Sequence, residues 1–116
     1  MKTYRVLVIP PEAPTYWIEV SKNTESGLLA LQHHVGGDIE HLTLKKGKRI
    51  ASAYVNEEGI RLCLPINRRA TAVVETSDNA YLGPILGSMI LAGPCANDGY
   101  NDDFTDDLQA VFVPQE

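Results

Sequence analysis

Cysteine is scarce in this 116-residue chain: Cys63 and Cys95 are the only two, and no CxxC spacing links them. Neither a disulfide framework nor a zinc site is implied, and a reducing cytoplasm fits best. Long hydrophobic runs are also missing. The N-terminal apolar run stops at Pro10 and Pro11, far short of a membrane span or signal core, and reads as a first strand. Basic charge is in deficit, with 10 Lys and Arg against 15 Asp and Glu and a formal charge of -5. That balance opposes nonspecific adhesion to nucleic acid, which needs many phosphates neutralised by cations. Gly83, Gly87 and Gly93 lack the lysine or helix start that would make a phosphate-cradling loop. Internal repeats and interdomain linkers are absent as well.

What is present is an ordinary globular balance, 44% hydrophobic and 22% charged. A chain of this length buries roughly two thirds of its unfolded surface, so one core and one domain spanning residues 1–116 are expected. The patterns predict a single compact α+β domain, with a mixed or mostly antiparallel sheet of about five to six strands and about two to three short helices.

Residues 4–9 are apolar on both alternating faces, as in an interior strand. Pro10, Pro11 and Pro14 stiffen the loop that follows. Tyr16, Ile18 and Val20 alternate with Trp17 and Glu19, which predicts a strand with one wetter face and an exposed Trp17. Thr24 is a candidate cap for the clearest helix, where Leu28, Leu31 and Val35 recur at helical spacing until Gly36 and Gly37 stop it. Residues 39–44 and 49–55 predict an antiparallel pair around a basic tip of Lys45, Lys46, Gly47 and Lys48. Asn56-Glu57-Glu58-Gly59 reads as a turn using positive backbone angles, residues 60–64 as a short strand, and Asn67 as the cap of a helix over 68–75. Residues 76–84 read as loop, 85–92 as a second interior strand and 97–104 as a flexible acidic loop. Thr105 is placed to cap a last helix through Phe112.

Several searches for chemistry give a bland answer. His33 and His34 are adjacent at a helix end and point to different sides, while His41 lies beyond the glycines; helix-dipole compensation explains them better than a metal site. No local base activates Cys63 or Cys95, so core packing is expected of both. The Asp-rich stretch at 97–107 lacks the register and closing glutamate of a calcium loop. Glu57 and Glu58 are consecutive in a turn, poor geometry for a hydrolytic dyad. No catalytic residue, metal or cofactor is therefore expected. The basic tip is best read as protection of a sheet edge.

What remains is a polar patch around two joints. Asn56, Glu57 and Glu58 form one, and Arg61, Asn67, Arg68 and Arg69 the other. Guanidinium forks suit carboxylate or phosphate, and Tyr54 or Trp17 offers a stacking face for a base. Glu57 and Glu58 also fit as solvated turn residues, and Asn67 as nothing more than a helix cap.

The order of motifs adds context: a first strand ending in Ile9-Pro10-Pro11, a helix closing on Val35-Gly36-Gly37 with Ile39-Glu40 after it, Asn56-Glu57-Glu58-Gly59 following Val55, then Leu64-Pro65-Ile66-Asn67-Arg68-Arg69-Ala70, and Gly87 to Gly93 around a strand. The chain thereby resembles the domain of unknown function 3846 family, small proteins frequent in bacteriophages and mobile elements. The resemblance implies a setting and a recurring surface, with no activity to carry over. The expected function is a non-enzymatic phage or mobile-element accessory protein that binds and inhibits or modulates a host protein in counter-defence. The alternative is sequestration of a small anionic nucleotide through Arg61, Arg68 or Arg69. A homodimer is expected on general grounds, and a membrane partner is not.

Overall fold

A computed structural model describes residues 2–79 and 83–114. Two sequence-adjacent strand pairs supply four of its five strands. β1 (Thr3–Ile9) and β2 (Tyr16–Ser21) pair antiparallel across the proline loop, with Val6 opposite Ile18 and Leu7 opposite Trp17. β3 (Ile39–Lys46) and β4 (Arg49–Asn56) form a hairpin closed by Gly47 and Lys48, where Gly47 takes φ 60° at no Cβ cost. β5 (Met89–Ala92) then enters between the pairs, giving the order β2-β1-β5-β4-β3 with every contact antiparallel.

Period-two alternation sorts the sheet into two faces. Leu7, Ile9, Ala51, Ala53, Val55 and Leu91 point to one, where they pack against Ala70 and Val73 of α2 (Arg68–Thr76) and Leu108 and Phe112 of α3 (Asp106–Phe112). Tyr4, Val6, Val8, Val20 and Ile90 point to the other, against Leu31 and Val35 of α1 (Thr24–Val35). β1 and β5 are interior strands covered on both sides, which is why their sequences are apolar throughout. The architecture is thus a compact α+β domain, a five-stranded antiparallel sheet with three helices among the described residues. Among them, no helix is long and apolar enough to cross a membrane.

Several local expectations need correction. The cap of α1 is Asn23, whose Oδ1 accepts from Ser26 N at 3.1 Å, and not Thr24. The buried face of α1 runs through Gly27, Leu31 and Val35, leaving Leu28 43% exposed. Gly27 sets that rotation: a Cβ there would stand 2.6 Å from the carbonyl oxygen of Ser21. Trp17, expected to be exposed, is half-buried against the core, with the Arg5 guanidinium 3.5 Å from its ring centroid and Phe104 beside it, while Glu19 on the same face is exposed. Residues 57–63 form consecutive turns in place of the strand expected over 60–64, and only Leu86 meets Ile66 across a single bridge. The strand expected over 85–92 begins at Met89, because Gly87 adopts φ 80° and interrupts the extended run. Both cysteines, expected in the core, are exposed. The loop at 76–84 includes residues 80–82, which lie outside the described residues.

The acidic stretch, expected as a loop, is a turn with hydrogen bonds of its own. Ala96 N donates to Tyr100 O at 2.7 Å, Asp102 N to Pro94 O at 2.9 Å, and Arg5 N to Asp103 Oδ1 at 2.7 Å. Phe104 is fully buried at its end.

Candidate functional site

A concavity of about 750 Å³ opens beside the start of β3 and the end of β4. Leu42 and Val55 form the sheet side, the turn after β4 one wall, and Pro84, Ile85 and Leu86 the other. Four carboxylates line it: Asp38, Glu40, Glu57 and Glu58. Arg61 is the lone cation of the lining, and its guanidinium is held by Glu58, Nε to Oε2 at 2.5 Å. Asp38 accepts from Gln32 Nε2 at 3.3 Å, whereas Glu40 and Glu57 form no ion pair among the described residues.

Asn56 builds the wall from within. Its buried amide donates to Val35 O at 3.1 Å, closing the end of α1, and its Oδ1 accepts from Glu58 N at 2.8 Å. Gly59 is not in the left-handed region expected of this turn; Cys63, at φ 53°, is the non-glycine residue there that is. A close approach fixes Gly59 instead, since its Cβ would stand 3.1 Å from Leu86 Cβ. Backbone bonds from Leu62 N to Glu58 O at 2.9 Å and from Leu64 N to Gly59 O at 3.0 Å hold the following loop. That loop presents Ile60 at 84% exposure, Leu62 at 46% and Ile66 at 58%.

Of the nine residues singled out by sequence, the groove therefore collects Asn56, Glu57, Glu58 and Arg61. The other five lie elsewhere. Asn67 is fully buried: its Nδ2 donates to Ile9 O at 2.7 Å and Gly87 O at 2.9 Å, and its Oδ1 caps α2 through Ala70 N at 3.0 Å. Arg69 holds the proline loop, donating to Pro10 O at 2.6 Å and to Ala13 O. Arg68 is exposed at the start of α2, with no side-chain hydrogen bond or ion pair among the described residues. Trp17 lies under Arg5, and Tyr54 is on the opposite face of the sheet, its hydroxyl donating to Asn101 Oδ1 at 2.6 Å. The cations and rings named for nucleotide capture do not converge on one site.

The apolar members, Ile60, Leu62 and Ile66, escape a sequence reading because alternation with Arg61 and Cys63 imitates a half-buried strand. Their flanks, a Glu-Glu-Gly turn and Pro65, were the available signal that this run is too confined to pair in a sheet. The histidines converge on no metal either. Tyr16 Oη and His34 Nδ1 are 2.8 Å apart, the His33 and His34 rings meet edge to face, and no group of three or more His, Cys, Asp or Glu could hold an ion among the described residues.

No curated protein and no solved structure matches the chain. The match that exists is to a family model, Domain of unknown function (DUF3846), over residues 1–114, and the chain belongs to that family.

Proposed function

We propose that the protein is a non-enzymatic phage or mobile-element accessory protein that binds a host protein and modulates it in counter-defence, through the groove and the loop at 57–66. The observation that carries this reading is the apolar cluster Ile60, Leu62 and Ile66, held outward by backbone hydrogen bonds beside four carboxylates. Covering exposed aliphatic side chains on an ordered loop gains about 25 cal/mol per Å² of apolar surface, against the side-chain entropy lost on docking. The carboxylates favour a partner that offers an apolar side chain or two, flanked by lysine or arginine.

The test is capture from host lysate followed by titration calorimetry with the purified captured protein. Ile60→Asp and Glu58→Lys should each weaken that complex by at least about tenfold, as expected of central interface residues. Equal affinity for both variants would sink the proposal. So would substrate turnover that Glu58→Gln abolishes.

A further inference from the structure

A second groove, about 400 Å³, lies on the α1 face of the sheet between the start of α1 and the turn at 98–101. Tyr4 lines it and is 5% exposed. The Tyr4 hydroxyl has no hydrogen-bond partner among the described residues, yet no buried polar side-chain atom is left unsatisfied. Its oxygen therefore reaches solvent, and Tyr4 lines this groove. A hydroxyl with no acceptor from the protein keeps its O–H free to donate to water or to a ligand seated there.

The surrounding groups define what would complete it. Asn23 Oδ1 is occupied by Ser26 N, and Gly27 N bonds Asn23 O, so the N–H groups of Thr24 and Glu25 are the open donors of a 12-residue helix. Thr24 Oγ1 and Tyr100 Oη meet at 3.1 Å across the groove. Leu28, Leu31, Ile39 and the Tyr54 ring give it an apolar side. Asp98, at the rim, is compensated by Tyr100 N at 2.9 Å and Lys22 Nζ at 3.0 Å.

We propose that this groove binds a small oxyanion, a carboxylate or phosphate ester carried on a flat apolar body, with Tyr4 Oη and the helix start donating to the anion. Burial, then the neighbouring Tyr54 and Cys95, pushes the Tyr4 hydroxyl up to about 12, so it stays protonated as a neutral donor. The site is separate from the apolar loop and stands or falls without it.

The probes are benzoate and phenyl phosphate, with benzyl alcohol as the uncharged body, titrated into the full chain and followed by two-dimensional amide NMR. Benzoate or phenyl phosphate should move the Thr24 and Glu25 amides, and the tighter of the two identifies the headgroup. Tyr4→Phe should weaken binding by at least about tenfold while leaving the free protein as stable as wild type or more so. Thr24→Pro is a second variant that spares the fold, because proline is favoured at the first helical position and Asn23 is already extended (φ -110°, ψ 127°). It removes one donor and should weaken binding as well. Absence of any shift at roughly 10 mM probe, a weaker limit than any useful site would show, would overturn the proposal. Equal binding by benzyl alcohol, or by both variants, would do the same.

Discussion

Asn67 shows how much one side chain can hold. A residue that only caps a helix tolerates exchange for aspartate, which caps as well as asparagine. Asn67 also donates to the carbonyls of Ile9 and Gly87, tying β1 and the segment before β5 to the start of α2. Asn67→Ala should cost about 2 to 4 kcal/mol in urea unfolding, the sum of a lost cap and stranded carbonyls. Asn67→Asp should be at least as damaging, because it sets a buried carboxylate against two carbonyl oxygens. Recovery of wild-type stability by aspartate would reduce the residue to a cap. His34 offers a residue-scale test by pH. Burial, then His33, lowers its pKa, so the folded state binds fewer protons than the unfolded one near the ordinary value of about 6.5. Stability from this group is present above that value and is lost as pH falls through the folded pKa. Histidine NMR should place the His34 midpoint below about 6.5, and Tyr16→Phe should move it up by removing a contact to the neutral ring. A midpoint unmoved by that exchange would exclude the contact as a determinant.

At the scale of elements, the sequence was legible wherever the local signal and the packing agreed. β1, the β3 and β4 hairpin, α2 behind Asn67 and α3 behind Thr105 follow from alternation, a glycine tip and capping side chains. It was illegible where a distant backbone decides the outcome. Gly27 turns α1 by meeting Ser21, and nothing in residues 24–35 announces that contact. The loop at 57–66 has the composition of a strand but finds no partner to pair with beyond one bridge, so Ile60 and Leu62 fall in a predicted short strand where the structure leaves them exposed. Asn56, Glu57, Glu58 and Arg61 were found by type and spacing, whereas Asp38 and Glu40 join them through the fold of the β3 and β4 hairpin. Gly93 carries the matching prediction. A Cβ there would stand 2.4 Å from Asp103 O and 2.7 Å from Asp102 O, both backbone atoms that cannot swing aside. Gly93→Ala should cost about 3 kcal/mol or prevent folding, as forced overpacking does. Gly99→Ala, with open space but φ 86°, should cost only about 1 to 2 kcal/mol. Thermal melts of the two variants compare the effects directly, and a milder Gly93 variant would contradict the close approach.

For the whole molecule, folding partly cancels a charge separation that looks stark along the chain. Arg49 pairs with Asp107, Arg5 with Asp106 at 3.5 Å and Lys22 with Asp98 at 3.0 Å, while Lys46 Nζ donates to Val111 O at 3.3 Å. The three ion pairs are exposed or partly exposed, each worth about 0 to 1 kcal/mol, and they leave less opposite charge for head-to-tail association. At the groove, Glu40 and Glu57 are left with no ion pair among the described residues. These two carboxylates, in a chain of net charge -5, should accelerate encounter with the proposed basic-flanked partner more than they tighten the final complex. Raising salt from about 50 to about 500 mM shortens the screening length to a few Å, so the association rate should fall by about tenfold and the dissociation rate by much less than that factor. Glu40→Gln combined with Glu57→Gln should flatten this salt dependence while changing stability by no more than about 0.5 kcal/mol, since both side chains are exposed. Stopped-flow association measured for wild type and the double variant at both salts decides it: an unchanged slope would place the steering charge away from the groove and detach the carboxylates from recognition.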